Sequence, residues 1–179
     1  MSKRFPRLAI SAAILVVASV AAMAQTPAPA PSPWAPLQFL VGAWEGPGSG
    51  APGEGRGGCT IAFDLNKNIL VRKNWAEFAP KSGETQGVSH QDLMIVFADA
   101  GDPRLKAIYF DVEGHVIHYV LQPAAKPNLV VFESDPGTKG PRFRLSYEMN
   151  ADGRLLNIFS IAMPGQDFKE YTRGWLVKK

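Results

Sequence analysis

The sequence predicts an all-β fold: a single antiparallel up-and-down β-barrel of about ten strands, with a short helical turn before the first. Beyond residue 58 the chain falls into short runs rich in Val, Ile, Phe, Tyr and Thr, separated at near-regular spacing by Gly, Pro, Asn and Asp. That is the pattern of sandwiches and barrels. The connections Asn66-Lys67-Asn68, Glu113-Gly114, Ala151-Asp152-Gly153 and Pro164-Gly165-Gln166 are rich in residues that tolerate positive φ, which makes consecutive strands antiparallel neighbours. Long windows of helical periodicity are absent, and closing the meander on itself removes its exposed edges.

The first 24 residues read as a cleaved secretory signal peptide. Lys3, Arg4 and Arg7 precede an apolar run from Leu8 to Ala22, and Ala22-Met23-Ala24 supplies a small-x-small cleavage site. The run is short for a span, which needs about 20 apolar residues, so no membrane span remains after cleavage. Localisation is expected to be periplasmic or secreted. The formal charge of +3 belongs to this segment: without its three cations, sixteen basic residues face sixteen acidic ones. A neutral domain with scattered charges has no footprint for nucleic acid.

Residues 25–36 carry prolines at 27, 29, 31, 33 and 36 and read as a Pro-rich extended tether. The barrel domain is expected to span 37–179, with one turn of helix at Leu37–Val41. The run GPGSGAPGEGRGG over 46–58 holds seven glycines in thirteen residues and reads as a loop. Its G-x-G-x-x-G string, Gly48 to Gly53, lacks the following helix that a dinucleotide site needs. Strands follow at Cys59–Leu65, Ile69–Phe78, His90–Ala98, Arg104–Val112, His115–Gln122, Leu129–Ser134, Pro141–Asn150, Arg154–Met163 and Phe168–Val177. Cys59, the one cysteine, lies in an apolar pattern and reads as a buried inert thiol.

Alternation assigns faces. Phe143, Leu145, Tyr147 and Met149 share one side of their strand, opposite Arg142, Arg144, Ser146 and Glu148; an outward band carrying these charges does not suit lipid. Asn157 and Phe159 share a face of the next. If Glu113-Gly114 is a two-residue turn, Tyr109 pairs with His118 and Phe110 with Ile117. One face of that hairpin then gathers Tyr109, Asp111 and His118, the candidate catalytic group, in which a carboxylate orients an imidazole beside a phenol. The other carries Phe110, Ile117, Tyr119 and Leu121, which with Phe143, Tyr147, Asn157 and Phe159 form the candidate ligand-binding set. His115 and His118, three apart on a strand, point oppositely and share no metal; His90 and Asp92 share a face but number only two. No metal site is expected. Gly-x-Ser-x-Gly and His-Glu-x-x-His motifs are absent.

The runs FLVGAWEGPG and AIYFDVEGHVIHY, the Gly42-Ala43-Trp44 start and the strand count resemble the calycin superfamily, in particular nitrobindin-like and fatty-acid-binding-like barrels and uncharacterised exported domains similar to them. The resemblance implies a lipocalin-like barrel locked by a last-strand cation over the first-strand tryptophan, here Arg173 over Trp44. Nitrobindin-like barrels hold haem through a histidine near the C-terminus; Phe168–Val177 contains none, so no cofactor is expected. The expected function is binding of a small apolar or amphipathic molecule. A small isomerase- or cyclase-type enzyme using Tyr109, Asp111 and His118, and an envelope interaction module or inhibitor, are the alternatives.

Overall fold

Alternating apolar residues build ten strands: β1 Gly42–Gly50, β2 Gly55–Asp64, β3 Ile69–Phe78, β4 Val88–Asp99, β5 Asp102–Asp111, β6 Val116–Leu121, β7 Leu129–Ser134, β8 Arg142–Met149, β9 Leu155–Ala162 and β10 Lys169–Lys178. Each pairs antiparallel with its chain neighbours, and β1 pairs with β10 to close the barrel. This computed structural model describes residues 32–134 and 140–179. The expected signal peptide and most of the tether lie outside the described residues. Among the described residues, no helix is long and apolar enough to cross a membrane.

The helical turn is a 3₁₀ helix at Ala35–Leu40, two residues earlier than expected. The proline-rich reading ended its tether at Pro36, yet proline is well placed in the first turn of a helix, where its missing N–H costs nothing. Leu37 and Leu40 are fully buried, and Trp34 packs edge-on against Phe63. The helix therefore joins the hydrophobic core at the end where β1 begins. Leu70, Met94, Val96, Leu105, Val130, Phe132, Tyr147 and Leu155 fill this end of the barrel.

The glycine-rich run is not a loop. Gly42 to Gly48 pair with Ile61 to Gly55, so most of it is a β-hairpin, and only the residues between β1 and β2 turn. The glycines suit strands here because backbones approach closely. A Cβ at Gly46 would lie 2.0 Å from the Trp175 carbonyl oxygen, and one at Gly58 2.6 Å from that of Trp44. Composition alone signals flexibility at such positions; close packing against β10 and β1 removes it.

The tryptophan lock also differs from expectation. Trp44 is buried and its Nε1–H donates to the Leu40 carbonyl at 2.8 Å, tying β1 to the helix. The cation over its ring is Lys178, with Nζ 5.4 Å from the centroid. Trp44 pairs with Lys178 in the β1–β10 register, while Arg173 pairs with Ser49 nearer the other end and is engaged by Glu170.

Trp44→Phe keeps the apolar bulk but strips the buried Leu40 carbonyl of its donor, and is expected to cost about 1–3 kcal/mol. Lys178→Met should cost about 1 kcal/mol or less, the scale of an exposed cation–π contact. Arg173→Met should leave this lock intact. Denaturant unfolding of the three variants orders them.

Candidate functional site

The half of the barrel opposite the helix is open. A cavity of about 360 Å³ lies between the mouth and a floor made by Arg72, Tyr119, Leu145 and Leu176. One wall is bare because β1, β2 and β10 contribute Gly46, Gly48, Gly57, Gly58 and Gly174 to it. Absent side chains are thus what keep the lumen wide. Ile117, Asn157, Phe159 and Ile161 supply apolar and amide surface on β6 and β9.

The facing wall is charged, and alternation on β3, β4 and β5 places its residues. Arg72 and Asn74 on β3, His90 and Asp92 on β4, and Tyr109 and Asp111 on β5 all line the lumen. Arg72 forms a buried ion pair with Asp92, both almost inaccessible to solvent. Burial opposes the Arg72 charge, but Asp92 more than compensates and raises its pKa further. Asn74 Nδ2 donates to the second Asp92 oxygen at 2.8 Å. Across the barrel, the Arg72 guanidinium lies 5.9 Å from the Tyr147 ring centroid.

His90 is held between carboxylates, with Nε2 3.2 Å from Asp92 Oδ2 and Nδ1 2.9 Å from Glu113 Oε2. The Asp92 hydrogen bond, assisted by Glu113 and opposed by partial burial, raises its pKa to about 9. At neutral pH both ring nitrogens therefore carry protons and donate. The Tyr109 hydroxyl sits 3.2 Å from His90 Nε2 and donates to Asp111 Oδ2 at 3.3 Å. Burial and the neighbouring Asp92 and Asp111 charges push this phenol well above the ordinary range, so it acts as a hydrogen-bond donor and not as a phenolate. Burial pushes the Asp111 carboxyl up, but hydrogen bonds from the His115 backbone and ring more than offset this and leave it lowered. Burial also raises the Cys59 thiol, leaving it a poor nucleophile.

The expected site residues are divided by the β5–β6 register. Asp111 N–H bonds the His115 carbonyl and Gly114 N–H the Asp111 carbonyl, with Gly114 at φ 89°. The connection is therefore three residues, Val112 to Gly114, where two were expected. Tyr109 consequently pairs with Ile117 and Phe110 with Val116, and the inward face of β6 is Ile117, Tyr119 and Leu121. Tyr109 and Asp111 reach the lumen as the proposed trio needs, but His118 is exposed on the outer face. The trio is not assembled; His90 stands beside Tyr109 instead.

Of the apolar set, Ile117, Tyr119, Asn157 and Phe159 line the cavity. Phe110, 40% exposed, points outward and cannot contact a luminal ligand. Tyr147 is buried in the closed half, and Phe143 stacks on Phe159 at 6.0 Å without lining the cavity. Leu121 lies at the helix end, beside Pro33, Pro36 and Leu105. Arg173 lines the cavity in addition to pairing with Glu170. The residues that sequence reading passed over are Arg72, Asn74 and Glu113; the signal within reach was Arg72 and Asn74 interrupting a face of β3 that otherwise carries Leu70, Ala76 and Phe78.

His90 has both nitrogens engaged by carboxylates, His115 bonds Asp111, and His118 faces outward. No family model matches the chain, and no curated protein matches it. Among solved structures the chain is similar to Rv2717c from M. tuberculosis, with a TM-score of 0.57 and 16% identity over 85% of this chain and 98% of that one. That likeness shows the barrel fold.

Two outcomes follow from the charged wall. Arg72→Met leaves Asp92 buried without its cation and is expected to cost about 3–5 kcal/mol, most of it recovered in the Arg72→Met/Asp92→Leu double variant. His90 has a folded pKa raised above its unfolded value, so its stabilisation is complete below about pH 6.5 and lost as pH rises through about 9. Unfolding free energy measured in metal-free buffer should fall across that window, and the fall should vanish in His90→Gln.

Proposed function

We propose that the protein is an exported calycin-like barrel that binds one small amphipathic molecule in its lumen. The observation that carries this reading is the open half-barrel of about 360 Å³, walled by glycines on one side and by hydrogen-bonding groups on the other. Ligand pockets typically begin at about 300 Å³ and combine apolar surface with a few placed polar groups. The apolar body of the ligand would rest on Ile117, Leu145, Phe159 and Leu176. Its polar end would face Arg72, His90 and Tyr109.

Polarity at the floor supports the same ligand class. The Tyr119 hydroxyl and Arg72 Nε are buried and have no hydrogen-bond partner among the described residues. Buried donors of this kind are normally satisfied, and a ligand carrying an oxygen acceptor would suit them. Export is supported by the cationic start, apolar run and Ala22-Met23-Ala24 site, which argue for a periplasmic or secreted protein.

Gly174 offers a direct test. It lines the cavity, and a Cβ there meets nothing closer than 3.6 Å. Gly174→Leu should fold normally yet occupy the lumen. Wild-type protein is expected to carry a small molecule visible by native mass spectrometry or to bind an apolar fluorescent probe, and the variant to bind at least about tenfold more weakly, a change of 1.4 kcal/mol. A wild-type barrel with neither carried compound nor probe binding overturns the reading.

A further inference from the structure

On the β4–β5 side of the cavity, carboxylates outnumber guanidinium groups. Asp92, Asp111 and Glu113 converge there, and Arg72 is the permanent cation among them. A metal that takes His90 Nδ1 displaces the proton held there, after which three carboxylates against one guanidinium leave two negative charges; Tyr109 and Asn74 complete the wall as neutral groups. A single dication would balance them.

The geometry points to a metal site: we propose that His90, Asp111, Glu113 and His115 bind a divalent first-row transition ion of the zinc class at the mouth of the barrel. His90, Asp111 and Glu113 each present a ligand atom, and these atoms lie within 4.8 Å of one another. His115 Nδ1 is 2.9 Å from Asp111 Oδ2, and its exposed ring can turn to supply the fourth ligand. Two nitrogens and two carboxylates are the donor set of zinc-like ions and not of calcium or magnesium, which take oxygen ligands.

A second observation distinguishes this cluster from a solvated patch of charge. Metal-bound histidines usually donate their other ring N–H to a carboxylate that fixes the ring. His90 does so: Nε2 bonds Asp92, which is itself immobilised by Arg72 and Asn74, and this aims Nδ1 at Glu113. Asp111, with a side chain only 5% exposed, is likewise fixed by the His115 backbone N–H at 2.8 Å. The site uses the rim and does not require a molecule in the lumen.

Zn²⁺ alone, titrated calorimetrically into chelator-stripped full-length protein, tests the inference, with Co²⁺ giving a visible spectrum that reports nitrogen ligation. Saturable binding of one ion per chain is expected, unaffected by millimolar Mg²⁺ or Ca²⁺. Glu113→Gln, on an exposed turn and so able to fold, and His90→Gln should each weaken it at least about tenfold. Gly174→Leu should leave it unchanged, which separates this site from the luminal ligand. Absence of saturable Zn²⁺ binding below about 1 mM, or binding equally strong in Glu113→Gln and His115→Gln, overturns the proposal.

Discussion

The buried ion pair of Arg72 and Asp92 is the constraint around which the barrel is arranged. Two charges placed in a lumen are costly unless paired and hydrogen-bonded, and here Asn74 and His90 satisfy Asp92 while the Tyr147 ring faces the Arg72 guanidinium, whose Nε alone has no partner among the described residues. The pair lies at the level where the barrel changes character. Towards the helix, Leu70, Met94, Val96 and Leu105 pack a solid core; towards the mouth, the same strands present Asn74, His90 and Asp111 to a cavity. One strand periodicity thus serves both halves, because the inward positions of β3 and β4 switch from aliphatic to polar at Arg72 and Asp92.

The two walls of the cavity arise from opposite devices. On β1, β2 and β10, glycine leaves out side chains and lets backbones come close, so that space is created without loosening the sheet. On β3 to β5, long polar side chains fill the space up to the rim and hold one another in fixed positions. Their mutual neutralisation explains why Asp111 can sit nearly buried as an anion and why His90 keeps its proton at neutral pH. The glycine wall and the polar wall of the cavity are therefore built by different strands.

Much of the architecture was legible along the chain. The nine runs read beyond residue 58 correspond to β2–β10 with small shifts at their ends, and the alternation of Leu145, Tyr147 and Met149 correctly gave the inward face of β8. Composition misled at Gly46–Gly58, where glycine marks close approach and not a loop. It also misled at Pro36, which lies in the first turn of the helix Ala35–Leu40. Cys59 is buried, as its apolar setting indicated.

The candidate site was legible only in fragments, and the β5–β6 turn shows why. Period-two alternation establishes that His118 and Ile117 face opposite ways, but which of them faces inward depends on whether the turn holds two residues or three. Asp111 closes a three-residue connection with His115, and that single residue moves His118 and Phe110 outside. Local pattern therefore determined strand content, order and the periodicity of each face. Register and the meeting of Arg72, His90, Asp92, Asp111 and Glu113 were decided by the closed sheet, because hydrogen bonds and ion pairs between strands depend on distances in space that no local pattern encodes.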